Sequence, residues 1–215
     1  MTEINDKIYT DFLNALLEGN RKRYSEIVSK QLKNGIAYIE LYEILFKPAL
    51  YKVGELWQFN KISVATEHLS SAIIESLVNE LRPKVISDNE QTNKIIVACI
   101  EKEHHQIGIK MVSDVFESKG WDSCFLGANT PTSELVTFAK IIKPDLFAIS
   151  IAMYMDFPIL EMMIQKIRVE FPDTPILIGG QAFLREGADI LNKYSDVNYL
   201  KDLYSIESYI KKLDL

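Results

Sequence analysis

The sequence predicts two parts, a four-helix bundle followed by an α/β domain built on a doubly wound, five-stranded parallel sheet. Within residues 1–82, apolar residues recur at helical spacing in segments separated by short polar or glycine-containing breaks, which favours an up-down bundle. From residue 94 onward, short continuous apolar runs alternate with amphipathic segments, which is typical of a parallel sheet covered on both faces. Residues 83–93 are mostly polar and begin with Pro83, so we predict a linker there.

Each bundle helix is bounded by its own breaks. The first helix carries an apolar face from Ile8 to Leu17 and ends before Gly19, because glycine readily adopts the left-handed conformation that closes a helix. The other helices are predicted over residues 21–33, 38–57 and 63–81. Pro48 should bend the third helix or mark where it restarts, because proline lacks the backbone N–H that a helix interior uses.

The second part should alternate strand and helix five times. Strands are predicted over residues 94–100, 122–127, 145–151, 175–179 and 197–200, and helices over 105–119, 132–142, 157–171, 183–193 and 204–213. Parallel strands joined by right-handed crossovers place all their carboxyl ends at one edge. Ligands of open α/β sheets bind at that edge, so we expect a functional site there.

Composition excludes several functions. The chain has 215 residues, 47% of them hydrophobic, and a formal net charge of −6, which argues against direct binding to nucleic acid. It shows neither an N-terminal leader pattern nor an apolar run long enough to span a membrane. Cys99 and Cys124 lie in separate strand-like runs, which indicates buried reduced thiols. We therefore expect a cytoplasmic protein that contacts neither membrane nor nucleic acid.

The loop after the first strand concentrates unusual side chains. Glu103, His104 and His105 follow the strand, and the chain contains only three histidines. They are either polar residues at a helix start, where acids also suit the helix dipole, or part of a site. The sequence offers no further Cys or His pair for a structural zinc ion, and neither a dinucleotide nor an NTP fingerprint follows any strand.

Two more strand ends carry residues of interest. Ser150 and Ala152 end the third strand, and Gly179-Gly180 ends the fourth. A strand-end serine or a glycine pair is ordinary by itself. Together with the histidine loop on the same edge, however, they indicate a binding site.

These elements resemble the Asp-x-His-x-x-Gly, Ser-x-Leu and Gly-Gly signature of cobalamin-binding domains. That family has a helical cap followed by a flavodoxin-like domain, and the resemblance covers nearly the whole chain. A glutamate replaces the family's aspartate, and an alanine replaces its leucine. The matching positions here are Glu103, His105, Gly108, Ser150, Ala152, Gly179 and Gly180.

The resemblance implies a role for each position. His105 would ligate cobalt from below after displacing cobalamin's own base, since its spacing to Gly108 fits and that of His104 does not. Glu103 would accept a hydrogen bond from the other ring nitrogen of His105. The displaced nucleotide tail would pass Gly108 and contact Ser150, Ala152, Gly179 and Gly180.

The bundle adds a second resemblance. Trp57 precedes Glu67-His68 by nine intervening residues, which is similar to the caps of light-responsive regulators that bind adenosylcobalamin. The tryptophan would cover the upper face of cobalt, and the Glu-His pair would contact the adenosyl group. The alternatives are a core tryptophan and a surface pair. Gln58 stands where some light sensors carry a histidine, which weakens an assignment as a photoreceptor.

The resemblance implies a cobalamin-binding sensory or regulatory protein. Adenosylcobalamin is the favoured cofactor, with methylcobalamin or hydroxocobalamin as alternatives. Signalling would proceed through a change in the cap or in a homo-oligomer, read by a partner such as a transcription regulator, because we expect no DNA-binding domain in the chain. The competing function is a corrinoid methyl carrier that serves separate methyltransferases. A mutase subunit is less favoured, because no substrate barrel is predicted.

Overall fold

The computed structural model describes residues 4–82, 92–184, 193–194 and 196–213. The chain divides into two compact units, Met1–Lys84 and Val85–Leu215. Each unit is described separately below. Residues 83–91 of the predicted linker and residues 185–192 of the predicted fourth helix of the α/β domain lie outside the described residues.

The first unit is helical, as the apolar spacing predicts. Side-chain oxygens of Asn5, Asn20 and Ser63 accept backbone N–H groups at three helix starts, which fixes where these helices begin. Gly19, at φ +64°, follows the first helix. The α-helices are α1 (Asp6–Leu17), α2 (Arg21–Lys33), α3 (Tyr38–Glu40), α4 (Lys47–Gln58) and α5 (Val64–Leu81).

A π-helical segment joins α3 to α4. It spans Leu41–Phe46, and the α-helical geometry resumes at Lys47 with Pro48 in the first turn. Proline is tolerated in a first turn, where its missing N–H is least needed. The third predicted helix is therefore nearly continuous, and Pro48 marks the point where its α-helical form restarts.

Aromatic and aliphatic side chains fill the centre of the bundle. The rings of Phe12 and Phe46 stack with centroids 5.6 Å apart, and the ring of Tyr42 packs against Phe46. Leu45 and Ile74 are completely buried beside other apolar residues of the first unit. Burial of this kind stabilises a bundle by roughly 1.5–3 kcal/mol for each large side chain.

The second unit is the predicted doubly wound sheet. The strand order is β2-β1-β3-β4-β5 and all four pairings are parallel, which confirms the predicted fold class. The strands are β1 (Lys94–Cys99), β2 (Asp122–Gly127), β3 (Leu146–Ser150), β4 (Ile176–Gly179) and β5 (Val197–Tyr199). The helices are α6 (Ile107–Ser118), α7 (Thr132–Ile142), α8 (Phe157–Glu170) and α9 (Leu203–Leu213).

The sheet reverses its winding between β1 and β3. Helices α7 and α8 pack together, as do α6 and α9, and buried residues of α7 and α8 share one apolar core with the sheet. The connections leaving β1 and β3 therefore diverge, and a crevice opens between their loops. This crevice is where ligands bind in such sheets.

The start of α6 differs from the prediction. Helix α6 begins at Ile107 rather than at residue 105, so His105 lies in the loop. The backbone N–H of His105 is bonded at 2.8 Å to Oε1 of Glu103, which holds the segment in a local turn before the helix begins. No helix among the described residues is long and apolar enough to cross a membrane.

Candidate functional site

A buried carboxylate organises the loop after β1. Glu103 is 2% exposed. Its Oε1 lies 2.5 Å from Nδ1 of His105 and 2.8 Å from the backbone nitrogen of His105. Its Oε2 accepts a 2.7 Å hydrogen bond from the backbone N–H of Ala152. One side chain therefore joins the loops that follow β1 and β3, on both sides of the crevice.

These contacts fix the orientation and tautomer of the His105 ring. An ionised carboxylate only accepts hydrogen bonds, so Nδ1 of His105 is the donor, and in the neutral ring Nε2 is then the nitrogen without a proton. The side chain of His105 is 68% exposed. A buried acid therefore holds the Nδ1 side of an otherwise exposed ring, and proteins orient metal-binding histidines by contacts of this kind.

Electrostatics keep Glu103 ionised. Burial alone would raise the pKa of Glu103, but the side-chain and backbone hydrogen bonds from His105 and the bond from Ala152 outweigh burial and hold that pKa below its ordinary value. The carboxylate is therefore charged at neutral pH, as its contacts require.

Cys99 lies beneath the loop as a neutral thiol. Burial, followed by the nearby charge of Glu103, raises the pKa of Cys99 to about 12. Its Sγ contacts the carbonyl oxygen of His105 at 3.7 Å. Metal binding by cysteine requires the thiolate, so Cys99 supports the loop and His105 remains the better candidate ligand. Cys99 and Cys124 are both free, as predicted, although Cys124 is only half-buried.

The other predicted motifs meet at the same edge. Ser150 pairs in register with Cys99 on one side and with Gly179 on the other, so the three positions form a row at the carboxyl ends of neighbouring strands. Ser150 is buried. The structure thus brings the predicted His105, Ser150, Ala152 and Gly179 elements together, as the parallel topology requires.

The three glycines of the predicted signature differ in how much space surrounds them. A Cβ built on Gly108 meets no atom within 4 Å, so the space beside it is open. Gly180 has φ +111°, and a Cβ there would collide with the backbone of Ile151. A Cβ on Gly179 would lie 3.3 Å from the carbonyl oxygen of Leu200. Backbone packing therefore explains the glycine at 180 without any ligand, whereas open space at Gly108 is compatible with a passing chain.

Sequence reasoning missed the loop after β2. Asn129, at φ +48°, receives the backbone N–H of Lys102 on its Oδ1 at 2.8 Å and donates its own N–H to the carbonyl of Glu103 at 2.7 Å. The side-chain oxygen of Gln106 accepts the N–H of Ala128 at 3.1 Å. The Gly127-Ala128-Asn129 sequence is a turn signal, but its attachment to the histidine loop depends on the fold.

In the first unit, Trp57 lies in the last turn of α4 and is 45% exposed. It is therefore not a residue of the bundle core, which was one of the two sequence-based alternatives. Phe59 and Val64, in and after the following turn, are also exposed. The end of α4 thus presents apolar surface that the bundle does not bury.

Glu67 and His68 are neighbours near the start of α5, and the ends of their side chains approach each other. Oε1 of Glu67 accepts a 2.8 Å hydrogen bond from the hydroxyl of Ser71. Oε2 of Glu67 lies 3.6 Å from Nε2 of His68, too far for a hydrogen bond. The His68 side chain is 75% exposed, so it remains accessible to a ligand.

The chain thus combines a helical unit, a flavodoxin-type sheet and an exposed imidazole that a buried acid holds at the switch point of that sheet. Among the described residues, no cluster of three or more His, Cys, Asp or Glu side chains forms a separate metal site. A single imidazole suits a cofactor whose macrocycle supplies the other ligands. The chain belongs to the B12 binding domain family. One model of this family matches residues 8–82, and a second matches residues 93–199. It is a cobalamin-binding protein.

Its relatives include corrinoid proteins and transcriptional repressors. The chain is 25% identical over 197 residues to trimethylamine corrinoid protein 1 of Methanosarcina mazei, covering 89% of this chain and 88% of that protein. It is 23% identical over 165 residues to the HTH-type transcriptional repressor CarH of Myxococcus xanthus, covering 76% of this chain. The chain spans only 54% of the length of CarH.

Solved structures support the fold. The monomethylamine corrinoid protein of Methanosarcina barkeri superimposes with a TM-score of 0.82 at 14% identity, covering 97% of this chain and 99% of that one. A cobalamin-binding protein from Desulfitobacterium hafniense matches with a TM-score of 0.50 at 18% identity, covering 96% of this chain and 97% of that one. The helical cap followed by a five-stranded sheet is therefore a fold that solved corrinoid proteins share.

Proposed function

We propose that this chain is a corrinoid protein that carries cobalamin for a partner methyltransferase, with Nε2 of His105 as the lower ligand of cobalt. The observation that carries the proposal is the contact of the exposed His105 ring with the buried Glu103 carboxylate. The predicted sensory function is the second candidate, since a corrinoid protein matches this chain over most of both lengths.

The residues at the sheet edge have separate tasks in this proposal. Glu103 orients the His105 ring and keeps its proton on Nδ1. Ser150, Ala152, Gly179 and Gly180 line the path of the displaced nucleotide tail. Gly108 leaves room for the tail beside the first turn of α6.

When bound, cobalamin would supply a cobalt centre through which a methyl group passes from a methyl donor to an acceptor, each held by a partner enzyme. In this proposal, His105 would bind the cobalt from the lower side of the corrin ring. A carrier must let partner proteins reach the opposite face, so we expect methylcobalamin as the working form and a methyltransferase as the partner.

The second candidate is a sensor of adenosylcobalamin that acts on a transcription regulator or through a homo-oligomer. The half-exposed Trp57 and the adjacent Glu67 and His68 favour it, because a large apolar side chain can cover an upper ligand and exclude water. The match to CarH supports the same candidate.

The lower ligand is tested with the full-length protein, methylcobalamin and a matched pair of variants. His105→Ala should convert the bound spectrum to that of cobalt without a nitrogen ligand below. His104→Ala removes the neighbouring exposed imidazole and should leave the spectrum unchanged. An unchanged spectrum in His105→Ala, or a changed one in His104→Ala, would refute the assignment.

Two measurements separate the carrier from the sensor, each made on the same protein loaded with either cobalamin. A carrier loaded with methylcobalamin should pass its methyl group to a corrinoid-dependent methyltransferase, and its oligomeric state should be the same in darkness and after green illumination. A sensor loaded with adenosylcobalamin should change its oligomeric state on illumination and give no methyl transfer.

A further inference from the structure

The loop after β2 contacts the histidine loop at three points. Oδ1 of Asn129 receives the N–H of Lys102, and the N–H of Asn129 binds the carbonyl oxygen of Glu103. On the other side of His105, the side chain of Gln106 receives the N–H of Ala128. The segment carrying Glu103 and His105 is therefore held at both ends by one neighbouring loop.

These contacts fix an unusual backbone conformation. Lys102 and Asn129 both lie in the left-handed region, at φ +71° and +48°. Residues other than glycine, asparagine and aspartate adopt that region at a cost in free energy. The hydrogen bond from Lys102 to Asn129 offsets part of this cost, and asparagine at 129 tolerates the conformation well.

The glycine before Asn129 is part of the same arrangement. Gly127 has φ +74°, and a Cβ on it would lie 2.7 Å from Oε1 of Gln106. Only glycine at 127 therefore lets the Gln106 side chain reach the N–H of Ala128. Because Gly127 ends β2, the sheet sets the position of the whole loop.

We infer that Asn129, supported by Gln106, is a positioning residue that preorganises His105 for the cobalt of cobalamin. The inference rests on the proposed role of His105 as lower ligand. Asn129 acts through the backbone on either side of Glu103, so that the carboxylate meets both His105 and Ala152 before the cofactor binds. A side chain that already has its binding geometry loses little conformational entropy when the cofactor binds, so binding is tighter.

The matched variants are Asn129→Ala, Asn129→Asp and Asp196→Ala. Alanine at 129 removes the acceptor for Lys102 and disfavours the left-handed backbone. Aspartate keeps an acceptor oxygen and tolerates that backbone. Asp196 also has a positive φ, +59°, but it precedes β5 and therefore lies at the opposite edge of the sheet. It controls for a general loss of stability.

The readout is the fraction of bound methylcobalamin that shows histidine ligation, measured from the visible spectrum at one neutral pH. Loss of one such hydrogen bond should lower the ratio of ligated to unligated cofactor by about three- to tenfold in Asn129→Ala. Asn129→Asp should restore the ratio, and Asp196→Ala should match the wild type. Gln106→Ala should change the ratio in the same direction as Asn129→Ala.

A wild-type ratio in both Asn129→Ala and Gln106→Ala, or an equal loss in Asp196→Ala, would overturn the positioning role. Failure of the proposed function gives a different result, because His105→Ala would then have the same spectrum as the wild type. Hydrogen exchange in the protein without cofactor gives a second reading. The amides of Lys102 and His105 should exchange faster in Asn129→Ala, and unchanged exchange would count against preorganisation.

Discussion

Nδ1 of His105 lies 2.5 Å from Oε1 of Glu103, and the two side chains differ widely in exposure, at 68% and 1%. A charged group is stable in a buried position only when hydrogen bonds replace its water. Glu103 meets this condition by accepting N–H groups from His105 and Ala152. The His105 ring and the Glu103 carboxylate thus form one hydrogen-bonded pair. Single substitutions at Glu103 test this pair.

Glu103→Gln should strongly weaken the hydrogen bonds between residue 103 and its partners His105 and Ala152. The carboxylate accepts three N–H donors, whereas an amide has one acceptor oxygen and turns an N–H group toward the remaining donors. We expect the free energy of unfolding to fall by about 2–4 kcal/mol and cobalamin affinity to fall about 10–100-fold. Urea unfolding of the protein without cofactor and a methylcobalamin titration measure the two effects.

Two further variants serve as comparisons for Glu103→Gln. Glu101→Gln changes another acid of the same loop and should leave both quantities close to wild type. Glu103→Asp introduces the family's usual residue with a side chain one methylene shorter, so it should keep either the His105 or the Ala152 contact and lose less affinity than glutamine. A larger loss for aspartate than for glutamine would contradict the account of Glu103 as a charged acceptor.

Acid should remove the contribution of Glu103 to stability. Its pKa in the folded protein lies below the ordinary value of 4.5, so the folded state favours the ionised form. The contribution is complete above the ordinary value and is lost as the pH falls through the folded pKa. The difference in unfolding free energy between wild type and Glu103→Gln should therefore shrink below about pH 4.5.

That difference is measured by urea unfolding at several pH values from neutral downward. Comparing two proteins cancels the other acids whose pKa is lowered, such as Glu207. A difference that stays constant into the acid range would show that the charge of Glu103 does not carry the effect.

Sequence reasoning succeeded where a feature depends on local pattern and topology. Continuous apolar runs predicted the strands, and parallel pairing then placed Ser150 next to Gly179. It could not predict that Glu103 is buried, that its second oxygen binds the N–H of Ala152, or that Asn129 contacts the histidine loop. These contacts join residues far apart in the chain and depend on the exact separation of neighbouring loops.

Two glycines of the predicted signature show the same limit of prediction from sequence. Gly108 and Gly180 both belong to the predicted signature, but the pattern does not tell which one the backbone itself requires. The structure separates them, because a Cβ meets open space at Gly108 and the Ile151 backbone at Gly180. The two positions should therefore respond differently to alanine.

Gly180→Ala should destabilise the second unit by about 2–4 kcal/mol, from positive φ and steric overlap together. Gly108→Ala should leave stability unchanged or raise it by up to about 1 kcal/mol, since alanine favours helices. If the nucleotide tail passes Gly108, the added methyl group should nevertheless weaken cobalamin binding. Thermal unfolding and a cobalamin titration of both variants provide the measurements, and full affinity in Gly108→Ala would exclude that path for the tail.

Trp57 provides the last prediction, which bears on the choice between carrier and sensor. Because Trp57 is 45% exposed, Trp57→Ala should lower the free energy of unfolding by less than about 1 kcal/mol. Leu45 is completely buried, and Leu45→Ala should lower it by about 2–5 kcal/mol. This pair tests the placement of the two side chains in the bundle.

The cofactor response of Trp57→Ala then tests its proposed task. A tryptophan that covers an adenosyl group loses contact area only when that group is present, so affinity for adenosylcobalamin should fall about tenfold while affinity for hydroxocobalamin stays the same. A carrier has no need of that contact, and both affinities should then change equally or not at all. Titrations of wild type and Trp57→Ala in darkness with the two cobalamins therefore decide whether the exposed tryptophan serves an adenosyl ligand.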